Sequence, residues 1–223
     1  MAQAKRAFIF DMDGTIVDNM GFHTDSWLEF FARRGKNFDP DEFFRETAGR
    51  QGREIIRKHL GADMPEDEVA VLTQEKDAVY RELYGPHRKT IDGFDELVAQ
   101  AKVRGVALAV ATAAPPPNIT FILDELGVRR HFDAVVGAAD VAHGKPHPDV
   151  FLKAAERVNV APGHCIVFED APLGVEAARR AGMRAVVLTT TLPAEAFAEF
   201  DNVVKIVHDF SELTIDDLFA GLN

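Results

Sequence analysis

Short apolar runs recur along the chain at residues 7–10, 107–111, 134–136, 165–168 and 185–189. Their length and their aromatic and β-branched content predict buried strands. Between the later runs, apolar positions recur with helical spacing over 95–104, 118–126, 149–158 and 173–181. Gly105, Gly127 and Gly182 stand where three of these helices should end in a left-handed C′ residue. Strands alternating with helices predict an α/β fold, a doubly wound parallel sheet covered by helices. Residues 18–89 break the alternation. Helix-period segments fill 23–33, 41–45, 53–59 and 66–84, with no convincing strand. We therefore expect a core of 1–17 and 90–223, with a small helical domain at 18–89 inserted after the first strand. Pro86 and Gly93 mark the return to the core, and Pro115-Pro116-Pro117 reads as a stiff loop.

The polar residues that follow the strands carry the chemistry. Asp11-Met12-Asp13-Gly14-Thr15 comes directly after the first run. Two carboxylates two residues apart start on one side of a strand, and Gly14 allows a sharp turn. Such a pair is costly unless a cation lies between them or one is protonated. A calcium loop is a poor reading, because Ile16 and Val17 replace the further oxygen ligands it needs. The second run ends at Thr112, Gly144-Lys145-Pro146 follows the third, and the fourth ends at Glu169-Asp170. Taken singly, each has an ordinary reading: a strand threonine, a solvated loop lysine, an acidic helix cap. In a doubly wound sheet, however, all these strand ends share one edge. Carboxylates, a hydroxyl and an ammonium around one pocket suit a hard cation and phosphoryl transfer.

Charge narrows the partners. The 223 residues carry a formal net charge of −11, which disfavours nucleic acid and anionic membranes and requires local cations at any phosphate site. Cys165, the single cysteine, excludes an intrachain disulfide and reads as inert core. No leader or spanning stretch is apparent, so a cytoplasmic protein is expected. His143 and His147 flank Lys145, but without a cysteine partner or an H-E-x-x-H helix they read as loop residues rather than zinc ligands.

Asp11-Met12-Asp13-Gly14-Thr15, Thr112, Gly144-Lys145-Pro146-His147-Pro148-Asp149 and Phe168-Glu169-Asp170-Ala171-Pro172-Leu173-Gly174-Val175 resemble, in order, the four motifs of the haloacid dehalogenase superfamily. More closely the chain resembles its β-phosphoglucomutase-like phosphatases, which carry a helical cap on a Rossmann-like core. The resemblance implies Asp11 as a nucleophile that becomes an aspartyl phosphate, and Asp13 as general acid/base. It implies Thr112, Ala113 and Lys145 as phosphate binders. It implies Mg²⁺ as cofactor, with Asp11, Asp170, Glu169 and the Asp13 carbonyl at the metal. Asp13 favours a phosphatase or mutase, since superfamily members without an acid/base there follow other chemistry.

Substrate choice is expected in the cap. His23 is similar in position to a histidine at the core–cap boundary of sugar-phosphate enzymes. Ala48-Gly49-Arg50-Gln51-Gly52-Arg53-Glu54 resembles the specificity loop, which leaves Arg50 and Arg53 as alternatives for binding phosphate or sugar hydroxyls. Lys76 on the long cap helix could face the cleft, but reads rather as a solvated surface residue. A phosphohexomutase must hold a second phosphate, yet Ala113-Ala114-Pro115-Pro116-Pro117 offers no side-chain donor, leaving Arg50, Arg53 or Asn118. The expected activity is therefore Mg²⁺-dependent hydrolysis of a small phosphate monoester such as a sugar phosphate. A β-phosphoglucomutase-type mutase is the alternative, followed by a pyrophosphatase or a catalytically silent metabolite-binding relative. The expected partner is a small phosphorylated metabolite, and the expected state is a monomer or weak homodimer.

Overall fold

A computed structural model describes residues 5–47 and 52–219. The chain forms two compact units, residues 1–18 with 89–223, and residues 19–88. In the larger unit six strands make one parallel sheet: β1 (Ala7–Phe10), β2 (Ala107–Ala111), β3 (Ala134–Val136), β4 (Cys165–Glu169), β5 (Arg184–Leu188) and β6 (Val203–Val207). Their order is β3-β2-β1-β4-β5-β6. The chain thus builds outward from β1 on one side, then returns to build outward from β4 on the other. Phe10 lies opposite Val110 of β2 and Phe168 of β4. The crevice outside this β1/β4 switch point is where doubly wound sheets bind ligands.

Both faces of the sheet are covered, so β1, β2 and β4 are buried at every position rather than alternating, and all three are apolar up to Glu169 at the end of β4. One face is aromatic. Phe10 stacks on Phe168 at 4.5 Å between ring centroids, with Phe8, Phe94 and Phe210 packed edge-on or tilted against this pair. The other face presents Ala7, Ile9, Ala109 and Val167 to residues that include Phe151, Ala154, Val175 and Ala178. The smaller unit contains α1 (Met20–Ala32), α2 (Pro40–Thr47), α3 (Gly52–Leu60) and α4 (Glu66–Tyr84), around Trp27, Phe30, Phe31, Phe43 and Ile55. The larger unit adds α5 (Phe94–Val103), α6 (Pro116–Ile119), α7 (Asp149–Val158), α8 (Pro172–Arg180) and α9 (Ile215–Phe219).

Three differences from the sequence pattern are instructive. β6 was not expected, because Lys205 interrupts its apolar run; charge in this position is typical of a sheet edge. The helix expected over 118–126 starts at Pro116 and passes into a π-helical turn at Thr120–Asp124. Lys76 is not solvated: it is 4% exposed, its ammonium 3.0 Å from His23 Nδ1 and over the Trp27 and Tyr80 rings.

Candidate active site

The loop after β1 is a tight coil. The Met12 carbonyl accepts from the amides of Thr15, Ile16 and Val17, and the Gly14 amide donates to the Val17 carbonyl at 2.8 Å. Gly14 has φ +77°, and a Cβ there would collide with the carboxylate of Asp170. Glycine is thus required by both conformation and close approach. At the adjoining strand end, the Asp11 amide donates to the Phe168 carbonyl at 3.0 Å. Pairing of β1 with β4 therefore brings Asp11 beside Glu169 and Asp170, across more than 150 residues of chain.

Asp11, Glu169 and Asp170 are all buried, and each offers a carboxylate oxygen within 4.8 Å of the others. Lys145 joins two of them, its ammonium donating to Asp11 Oδ1 at 2.7 Å and to Glu169 Oε1 at 2.6 Å. The other Glu169 oxygen accepts from the amides of Asp170 and Ala171, both at 3.0 Å. A Cβ on Gly174 would strike this carboxylate, so the helix that starts at Pro172 needs glycine in its first turn. Asp170 accepts from Thr15 Oγ1 at 3.4 Å and from Thr191 Oγ1.

The charge balance is uneven. Three buried carboxylates face one ammonium. Burial raises the Asp11 carboxyl to about 7, against the pull of Lys145 and with help from Glu169 and Asp13. Burial, with Glu169 and Asp11, also pushes Asp170 well above the ordinary carboxylate range. Burial alone would lower the Lys145 ammonium, but Asp11 and Glu169 more than offset it, and its pKa is raised. Surplus negative charge on an all-oxygen donor set fits a hard divalent cation, which would relieve the repulsion that these shifts record. The residues present therefore fit Mg²⁺.

Thr112 follows β2 and is almost wholly buried. Its Oγ1 accepts from the Ala114 amide at 3.0 Å, which leaves the hydroxyl hydrogen free to be donated elsewhere. Ala113 beside it is exposed. Asn118 is 2% exposed and belongs to the interior. His143 and His147 stack on one another, and His143 Nδ1 lies 3.0 Å from Asp149. Among the described residues, the only converging set of three or more potential ligands is Asp11, Glu169 and Asp170, so neither histidine joins one. Cys165 is buried, and burial pushes its thiol up to about 12, so it is no nucleophile at neutral pH.

In the smaller unit, His23 stacks on Tyr80 at 3.9 Å, and Tyr80 Oη accepts from Asn19 Nδ2 at 2.6 Å. The Lys76 ammonium, which can only donate, lies 3.0 Å from His23 Nδ1. Arg53 is exposed in the first turn of α3, while Arg50 lies outside the described residues.

Sequence reading missed Thr190 and Thr191 as parts of this site, and it gave no role to Thr15 and Gly174 within their motifs. The available signals were a run of hydroxyl residues directly after the fifth strand, and a glycine four residues after Asp170.

Comparisons with known proteins identify the family. The family model of the haloacid dehalogenase-like hydrolases matches residues 5–182. Validoxylamine A 7'-phosphate phosphatase of Streptomyces hygroscopicus subsp. limoneus is 38% identical over 198 residues, covering 88% of this chain and 92% of its own. Fructose-1-phosphate phosphatase YqaB of Escherichia coli is 34% identical over 186 residues, 83% and 97% respectively. The crystal structure of a β-phosphoglucomutase from Clostridium difficile superimposes with a TM-score of 0.82 at 25% identity, over 97% of this chain and 96% of that one.

Proposed function

The chain belongs to the haloacid dehalogenase-like hydrolases, and from that premise we propose that it is a Mg²⁺-dependent phosphatase of small phosphate monoesters of the sugar-phosphate class. The observation that carries this reading is the buried cluster at the switch point, where Lys145 bridges Asp11 and Glu169 beside Asp170. The two phosphatase relatives, each covered over most of its length, support the substrate class.

In the proposed reaction an Asp11 carboxylate oxygen attacks phosphorus, the bond from phosphorus to the ester oxygen breaks, and Asp13 gives its proton to the departing alcohol. A water oxygen then attacks the aspartyl phosphate while Asp13 takes its proton. The bond between phosphorus and Asp11 breaks, releasing phosphate and restoring both aspartates. Lys145 holds the nucleophile in place and faces the developing charge, and the Thr112 hydroxyl and Ala113 amide orient the phosphoryl oxygens. Asp11 and Asp170, with the Asp13 carbonyl, would hold Mg²⁺, which when bound neutralises phosphoryl charge. Glu169, whose oxygens already serve Lys145 and two amides, supports the site from behind. In the helical unit, His23 and Arg53, with Arg50, are the candidates for selecting the ester.

The test is incubation with Mg²⁺ and a panel of phosphate esters, β-glucose 1-phosphate with a bisphosphate primer, and pyrophosphate. Both free phosphate and isomerised sugar are followed, with Asp11→Asn as control. Phosphate release lost in Asp11→Asn is expected. Isomerisation without net release would establish the mutase that the Clostridium difficile neighbour favours. Release from pyrophosphate alone would change the substrate class, and Mg²⁺ binding without any turnover would indicate a silent relative.

A further inference from the structure

The loop after β5 makes two bonds that neither the general fold nor the proposed chemistry requires. Thr191 Oγ1 donates to Asp170 Oδ2, and Thr190 Oγ1 donates to the Gly14 carbonyl. The first reaches a carboxylate of the cluster, and the second reaches the coil that carries Asp13. Thr15 Oγ1 approaches the other Asp170 oxygen at 3.4 Å, and a Cβ on Gly14 would collide with Oδ2. Asp170 is 2% exposed, so no bulk water is at hand to satisfy its carboxylate.

We propose that Thr191 is the positioning residue that sets the plane of the Asp170 carboxylate for cation binding, an inference that rests on the metal reading above. A carboxylate on a single side-chain bond turns freely unless both oxygens are engaged. Hydroxyl donors on Oδ1 and Oδ2 fix that rotation. A hydroxyl also does what an ammonium cannot: it stabilises the anion without neutralising it. Lys145 already supplies a positive charge to Asp11 and Glu169. A second cation on Asp170 would compete with the metal, whereas a neutral dipole leaves the charge available. Thr190 anchors the same loop to Gly14, so the donor arrives from a fixed position rather than from a free loop. Outer hydrogen bonds of this kind orient ligands and tune affinity.

The experiment is titration calorimetry of the full chain with MgCl₂, comparing wild type, Thr191→Val and Thr191→Ser, with melting of each protein measured in EDTA. Thr191→Val keeps the shape of the side chain and removes the hydroxyl. It should weaken Mg²⁺ affinity about 10- to 100-fold, while Thr191→Ser stays within about threefold of wild type. The melting temperature in EDTA should be nearly unchanged in Thr191→Ser and lower in Thr191→Val, which leaves a buried carboxylate oxygen without that donor but should still melt in one cooperative transition. A valine variant that binds Mg²⁺ as wild type does overturns the inference, and so does a serine variant as weak as the valine one. If Thr191→Val fails to fold, Thr191→Ala takes its place with the same expectations. Wild-type protein that binds no Mg²⁺ overturns the metal reading itself and the inference with it, a result distinct from the two above.

Discussion

Lys145→Met is the most demanding test of the charge balance at the site. The ammonium lies between Asp11 and Glu169 at 2.7 and 2.6 Å, with its side chain 11% exposed. Removing one partner of such a buried pair leaves uncompensated charge and costs about 3–5 kcal/mol. A proton can substitute for part of the lost cation, and the sign follows from the Asp11 carboxyl. In the wild type its folded pKa is about 7, above the unfolded value of 3.8. Stability therefore falls as pH rises between those values and levels off above about 7. In Lys145→Met the pull of the ammonium is gone, so the folded pKa lies higher and stability continues to fall above 7. The deficit of the variant should thus grow above pH 7 by about 1.4 kcal/mol per pH unit. We expect about 3–5 kcal/mol at pH 8.5 and about 2 kcal/mol less at pH 6.5. The single tryptophan, Trp27, is in the helical unit and cannot report on the core. Amide exchange of β1 and β4 in EDTA, measured at both pH values, is the suitable assay. A deficit that is independent of pH, or below about 1 kcal/mol at pH 8.5, would refute the argument, since either result means the carboxylates do not depend on Lys145.

Two further outcomes are expected. Asp13→Ala should lower kcat by roughly 10²–10⁴ while single-turnover labelling of Asp11 is still detectable; a mild loss would move the acid/base role to another group. His59 packs among Phe31, Phe38 and Phe43, and burial, against the opposing pull of Glu46, lowers its pKa below 6.5. The stability it contributes is present above pH 6.5 and is lost as pH falls through that value toward its folded pKa, because the unfolded chain binds the proton better. Trp27 fluorescence during urea unfolding should show this acid sensitivity in the wild type and not in His59→Phe.

Much of the architecture was legible without coordinates. The strands at 7–10 and 107–111 have the bounds their apolar runs predict, because a segment covered on both faces must be apolar throughout, and the half-buried edge strand at 134–136 also keeps its predicted bounds. Helical period likewise marked α7, whose apolar stripe faces the sheet. β6 escaped because it is an edge strand: Val204 and Ile206 on one side are exposed, and Lys205, on the other side with Val203 and Val207, breaks the apolar run. Lys76 escaped because composition cannot tell a surface lysine from one enclosed by His23, Trp27 and Tyr80. Arg50 lies outside the described residues, and Arg53 is exposed.

The sequence by itself determined the buried strands and most of the helices that flank them, and it set the order of carboxylates, hydroxyl and ammonium along the strand ends. Both are local properties: periodicity records how one segment divides its own surface between core and solvent. Tertiary structure decided the neighbours. That β1 pairs with β4, that Lys145 bridges Asp11 and Glu169, and that Thr191 meets Asp170 all depend on surfaces contributed by distant segments. Such contacts leave no period in the chain, since a hydrogen bond across 134 residues constrains two side chains and nothing between them.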